Sequence, residues 1–199
     1  MTPRSISLLA CLALSPAAGL AQEGPAFDCT KAESSAEKLV CEDAELAALD
    51  RRLAHRFAAA VEVAEGLDVG AEETTNALRA MQRGWISGRD ECWKEPDLRV
   101  CVETEYLQRE AELVAEFMLE AASETVELTC GPRALTVDIF ATALPGLRVE
   151  EGDSVYIGAQ LEPDTLGTYY LRSAGGLVMD GDMISVSDTD GEEHTCQIR

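Results

Sequence analysis

His55 and His194 are the only imidazoles in the chain, and catalysis by either would need a nucleophile and an orienting group beside it. His55 stands among charged neighbours in a helical pattern, and His194 stands near the C-terminus. No serine or cysteine motif matches either one, so both read as surface side chains. Asp180-Gly181-Asp182 and Asp188-Thr189-Asp190-Gly191-Glu192 space oxygen ligands as a calcium loop does. They lack the length and terminal glutamate of an EF-hand, and hairpin turns explain them better. Acidic pairs suited to glycoside hydrolysis turn up in any chain this acidic and single out nothing. A phosphate-cradling glycine loop and a dinucleotide fingerprint are both missing. No catalytic, cofactor-binding or metal-binding set emerges, and the sequence reads as a non-enzyme.

Cysteine is the residue type whose spacing says most. Of seven cysteines, Cys11 falls in a stretch that reads as a signal peptide over residues 1–21. Arg4 supplies its positive start, Ile6–Ala13 is apolar, and Gly19-Leu20-Ala21 offers small residues for cleavage. Cys11 follows Leu8-Leu9-Ala10, a faint lipidation pattern, but the short apolar run and the bulky Leu9 speak against a lipoprotein. No other stretch is long and apolar enough to span a bilayer. The expected product is exported, periplasmic, and begins at Gln22. Six cysteines then remain: Cys29, Cys41, Cys92, Cys101, Cys130 and Cys196. An even number in an exported chain points to three disulfides. Zinc is disfavoured, because no C-x-x-C occurs and histidine is scarce. Short loops favour Cys29–Cys41 and Cys92–Cys101, which leaves Cys130 with Cys196.

The elements that must hold these cysteines change character along the chain. Residues 22–26 form a short linker. Thr30/Glu33 and Ser34/Glu37 both have capping-box spacing, so a short helix begins there and ends near Cys41. Leu46, Leu49, Leu53, Phe57 and Val61 then mark one face of a long helix starting at Asp43. A second long helix is expected over about Ala71–Arg89, with Leu78, Met81 and Trp85 on its stripe. Gly84 and Gly88 within it suggest close approach of a neighbouring helix. Pro96 breaks the chain, and Asp97 can cap a third long helix carrying Leu98, Val102, Tyr106, Leu113 and Phe117.

After Ser123 the period shortens. VELTC, LTVDIFA, SVYIGAQL, TYYLRS and MISVSD are β-branched runs between glycine and proline turns. The expected fold is therefore multidomain, α then β. A disulfide-clamped antiparallel helical bundle over residues 27–123 precedes a small antiparallel β-barrel over 124–199, its ends tied by Cys130 and Cys196.

Charge limits the partners. The chain carries 37 acidic and 16 basic residues, a net charge of −21. Nucleic acid, which needs a basic surface, is excluded, and anionic membrane surfaces are disfavoured. A cationic protein would be attracted and its encounter accelerated.

Two stretches resemble known families. Phe27-Asp28-Cys29, Glu37-Lys38-Leu39-Val40-Cys41 and Leu46–Leu53 are similar to the N-terminal domain of LprI-type lysozyme inhibitors. Gln82-Arg83-Gly84-Trp85-Ile86 and Arg89-Asp90-Glu91-Cys92 extend the likeness, which covers about residues 27–118. The resemblance implies structural roles for these residues. Residues 125–198 resemble the MliC family of small barrels that inhibit C-type lysozymes. That likeness rests on Leu128-Thr129-Cys130, Gly167–Tyr170, Gly176–Asp182 and Cys196. It implies contact through a serine-glycine loop and a lysine-glycine turn that enter the lysozyme cleft. Here Leu166 replaces the serine before Gly167, and Asp180 replaces the lysine before Gly181. The resemblance thus nominates Leu166, Gly167, Thr168, Tyr169, Tyr170, Asp180 and Gly181 as contact residues. The expected function is non-covalent occlusion of a basic lysozyme's cleft, with no cofactor. A non-inhibitory module docking a cationic envelope partner is the second reading, and a cell-wall enzyme the third.

Overall fold

The computed structural model describes residues 23–162, 165, 167–181 and 183–199. The signal-peptide reading, Cys11 and Leu166 lie outside them. Four α-helices precede an antiparallel barrel of eight strands. Among the described residues no helix is long and apolar enough to cross a membrane.

The helices begin where short polar side chains can satisfy free backbone N–H groups. Helix α1, Ser35–Glu42, carries a full capping box: Glu37 N donates to Ser34 Oγ, and Ser34 N donates back to Glu37 Oε2. The Thr30 spacing is used differently, in a 3-10 turn over Cys29–Lys31 whose Thr30 N–H donates to Asp28. Asp43 separates α1 from α2, Ala44–Glu65, and accepts from the amides of Glu45 and Leu46. Helix α3, Ala71–Asp90, starts after Gly70 at φ 78°, a left-handed conformation that glycine adopts without steric cost. Asp97 caps α4, Leu98–Phe117, by accepting from Val100 N. Close approach is not the role of Gly84 and Gly88, since a Cβ at either would meet nothing within 4 Å.

Leu46, Leu53, Leu78, Val102, Tyr106 and Leu113 meet in the bundle core, with Phe57 and Trp85 packed against it. Disulfides Cys29–Cys41 and Cys92–Cys101 pin its edges. The strands are β1 Glu124–Cys130, β2 Arg133–Phe140, β3 Gly146–Glu151, β4 Ser154–Gln160, β5 Thr168–Leu171, β6 Gly175–Asp180, β7 Met183–Ser187 and β8 Glu193–Ile198. Each pairs with its neighbour in sequence, and β1 pairs with β8 to close the barrel. Cys130 and Cys196 face each other across that closing seam and are disulfide-bonded. Alternate residues such as Val126, Leu128, Leu135, Val137, Leu147 and Val149 fill the interior, as the two-residue strand period requires.

Helix α4 serves both halves of the fold. Val114 and Ala115 form a separate apolar cluster with Phe140 and Ile157 on the outer wall of the barrel. Burying one side chain of that size contributes about 1.5–3 kcal/mol. At the same seam Arg172 lies 3.1 Å from Glu112, and Gln108 Nε2 donates to the carbonyl of Leu161 at 2.5 Å.

Candidate functional site

The residues that carry the N-terminal resemblance meet inside the bundle. Tyr106 is 1% exposed, and its hydroxyl donates to Asp50 Oδ1 at 2.8 Å while accepting from Arg89 Nη1 at 2.9 Å. Arg89 is also buried and donates to Asp90 Oδ1. Its guanidinium lies 5.5 Å from the centroid of the Trp85 ring, which meets Tyr106 edge-on. Asp50 Oδ2 accepts from Ala26 N at 2.7 Å and so ties the N-terminal segment to α2. Burial pushes the Tyr106 phenol well above the usual tyrosine range, outweighing the opposite pull of Arg89. A buried phenol held protonated between an arginine and a carboxylate acts as a structural joint. It links α2, α3 and α4.

Two further buried charges are matched. Glu110 accepts from Arg52 and Arg56, and Arg109 donates to Gln82 and Glu112. Buried charges need such partners. Of these buried charges only Arg89 stood out in the sequence, through the LprI resemblance; Arg109 and Glu110 did not. Their sequence signal is their position one helical turn from buried apolar residues.

Among the described residues nominated for contact, Gly167, Thr168, Asp180 and Gly181 gather at one end of the barrel. Met179 N donates to Gly167 O at 2.7 Å, which sets the loop before β5 beside the turn after β6. Gly167 sits at φ 75°, and a Cβ there would lie 2.2 Å from Met179 O, so no other residue fits. Asp180 and Gly181 complete this tip, with Gly181 at φ 57°. Thr168 is half-buried, Tyr169 turns into the barrel core and Tyr170 is 57% exposed. Strand alternation thus leaves Tyr170 as the ring available to a partner.

At the opposite end of the barrel Asp188, Glu192 and His194 bring ligand atoms within 4.8 Å of one another. Asp188 Oδ1 accepts from the amides of Asp190 and Glu192, so its first task is closing the β7–β8 turn. His55 is exposed on α2 and His194 is half-buried on β8.

Comparison with known proteins agrees with the helical half of this picture. Residues 29–113 match the family described as lysozyme inhibitor LprI. Lipoprotein LprI of Mycobacterium bovis is 30% identical over 164 residues, covering 79% of this chain and 78% of the relative. The Mycobacterium tuberculosis protein of the same name matches to the same extent. No solved structure matches, and the barrel's likeness to MliC has no counterpart among these matches. The relative's identity and reach settle the family: this chain belongs to the LprI lysozyme inhibitors.

Proposed function

We propose that this protein is exported and inhibits a basic lysozyme by covering its cleft, without covalent chemistry. Family membership carries this reading. The net charge of −21 supports it, because an acidic inhibitor and a basic enzyme attract over a Debye length and associate faster at low salt. The barrel tip built from Gly167, Thr168, Asp180 and Gly181, flanked by Tyr170, is the contact surface within this proposal. Its two turns are joined by the Met179–Gly167 backbone hydrogen bond, and a surface already tied together loses less conformational freedom on binding.

The test is inhibition of a C-type lysozyme by the whole chain at low and moderate salt. The whole chain is required because α4 belongs to both the bundle core and the barrel wall. Inhibition that weakens with salt is the expected result. A folded protein that leaves lysozyme activity intact overturns the proposal. Asp180 favours a second reading, since it places a negative charge where lysine would meet the enzyme's carboxylates. Calorimetric binding without inhibition identifies that docking role. The mycobacterial relatives are named lipoproteins. We propose cleavage after Ala21 here, and the mass of the exported protein distinguishes that from acylation at Cys11.

A further inference from the structure

A groove of about 580 Å³ runs between the N-terminal half of α4 and the loop joining β4 to β5. Its helix wall carries Val100, Thr104, Glu105 and Gln108; its loop wall carries Leu161, Glu162 and Thr165. Glu95 and Asp97 line its edge. Two properties stand together here. Val100 and Leu161 are 56% and 40% exposed, an apolar strip open to solvent. Four carboxylates, from Glu95, Asp97, Glu105 and Glu162, line the same groove, and among the described residues no lysine, arginine or histidine does. The cations next to these residues in sequence are engaged elsewhere: Lys94 pairs with Glu91, Arg99 with Asp43, Glu45 and Glu103, and Arg109 with Glu112. Burial raises the Glu105 carboxyl and Glu112 pushes it the same way, against smaller opposing pulls from Trp85 and Arg89. That carboxylate would gain from a cation placed beside it.

The groove is also held ready. Gln108 ties the loop to the helix through Leu161 O, and Thr165 Oγ accepts from Glu162 N at 3.0 Å. The loop that forms its wall ends at Gly167, so the groove opens at the same end of the barrel as the proposed contact tip.

We infer that this groove receives a lysine or arginine side chain from the basic enzyme bound at the barrel tip. Long cationic side chains have an apolar stem and a charged head. The stem would lie on Val100 and Leu161, and the head would reach the carboxylates. The contact draws on α4 and on the barrel loop together, so neither half of the fold supplies it alone. This inference rests on the lysozyme-binding reading above, and its test separates the two.

Binding of a C-type lysozyme to the full chain is measured by calorimetry for the wild type and three variants. Glu95→Gln/Glu162→Gln changes two exposed groove carboxylates, and Glu105→Gln changes the half-buried one. Glu72→Gln/Glu73→Gln removes the same charge as the first pair from the exposed start of α3. The groove pair is expected to weaken binding about tenfold, while the α3 pair changes it by less than about twofold. Equal weakening by both pairs shows general charge attraction and overturns the groove, leaving the inhibitor reading intact. If the wild type does not bind lysozyme, the inhibitor reading fails, and a hexa-arginine peptide becomes the probe. Amide shifts confined to Val100, Thr104 and Leu161, and lost in the groove pair, sustain the groove as a cation site. Shifts spread over other acidic faces overturn it.

Discussion

Gly146 at the start of β3 faces the backbone of Ala111 in α4 so closely that a Cβ on it would lie 2.6 Å from the Ala111 carbonyl oxygen. This contact sets how near the barrel wall comes to the helix. Gly146→Ala has only backbone to push against, so strand or helix must move, at a cost of about 1–3 kcal/mol. Gly84→Ala in α3 is the control. Its Cβ meets nothing within 4 Å, and replacing a mid-helix glycine stabilises by about 0.5–1 kcal/mol. Urea unfolding of both variants checks the opposite signs.

Tyr106→Phe removes the hydroxyl that bridges Arg89 to Asp50. Leaving buried hydrogen-bonding groups unpaired costs about 1–3 kcal/mol. The same variant changes the response to alkali. The folded-state phenol titrates above the unfolded value of about 10. Its stabilisation is therefore full below about pH 10 and is lost as pH rises through the folded value. Unfolding followed between neutral pH and about pH 11 should show a shallower alkaline decline in Tyr106→Phe than in the wild type. Tyr169, raised by burial in the barrel, supplies a share that the variant leaves in place.

Much of this fold was legible in residue spacing. The leucine faces, Ser34, Asp43 and Asp97 as caps, and the two short disulfides follow from local pattern, and Cys130–Cys196 follows by elimination. Three strands did not stand out. β6 begins Gly175-Gly176, β8 turns a single apolar residue, Cys196, fully inward, and β3 has only Leu147 and Val149 between charges. Each gains its conformation from neighbours. The docking of α4 was hidden for a related reason: Val114 and Ala115 lie off the stripe of Leu113 and Phe117, and Phe140 and Ile157 sit at outward strand positions. The proposed contact tip was legible only through resemblance, and the groove beside it joins residues that no local spacing relates.

The three disulfides should differ in worth. Cys130–Cys196 closes a separation of 66 residues, against 12 for Cys29–Cys41 and 9 for Cys92–Cys101. Loop-closure entropy assigns the long bridge about 4 kcal/mol and the short ones about 3 kcal/mol each. The long bridge also staples the β1–β8 seam, so Cys130→Ser/Cys196→Ser opens the barrel where its first and last strands pair. Thermal unfolding should show the largest loss for this pair, and hydrogen exchange should speed first in β1 and β8. A larger loss for Cys92→Ser/Cys101→Ser would show that the helical corner governs stability.

Asp180→Lys tests whether the barrel tip enters a lysozyme cleft. The cleft presents carboxylates, so a lysine at the β6–β7 turn replaces repulsion with attraction at the contact. Elsewhere on the surface the same substitution weakens the attraction between an acidic chain and a basic enzyme. Asp153 supplies that comparison, since the β3–β4 turn lies at the other end of the barrel. Asp180→Lys should therefore tighten inhibition by about three- to tenfold, while Asp153→Lys leaves it unchanged or slightly weaker. Inhibition constants at low and moderate salt check this. The sign of the Asp180 effect is what matters, because general steering predicts a loss and insertion of the tip predicts a gain. Equal losses from both variants would remove the tip from the cleft and, with it, a groove contact that depends on an enzyme seated at the tip.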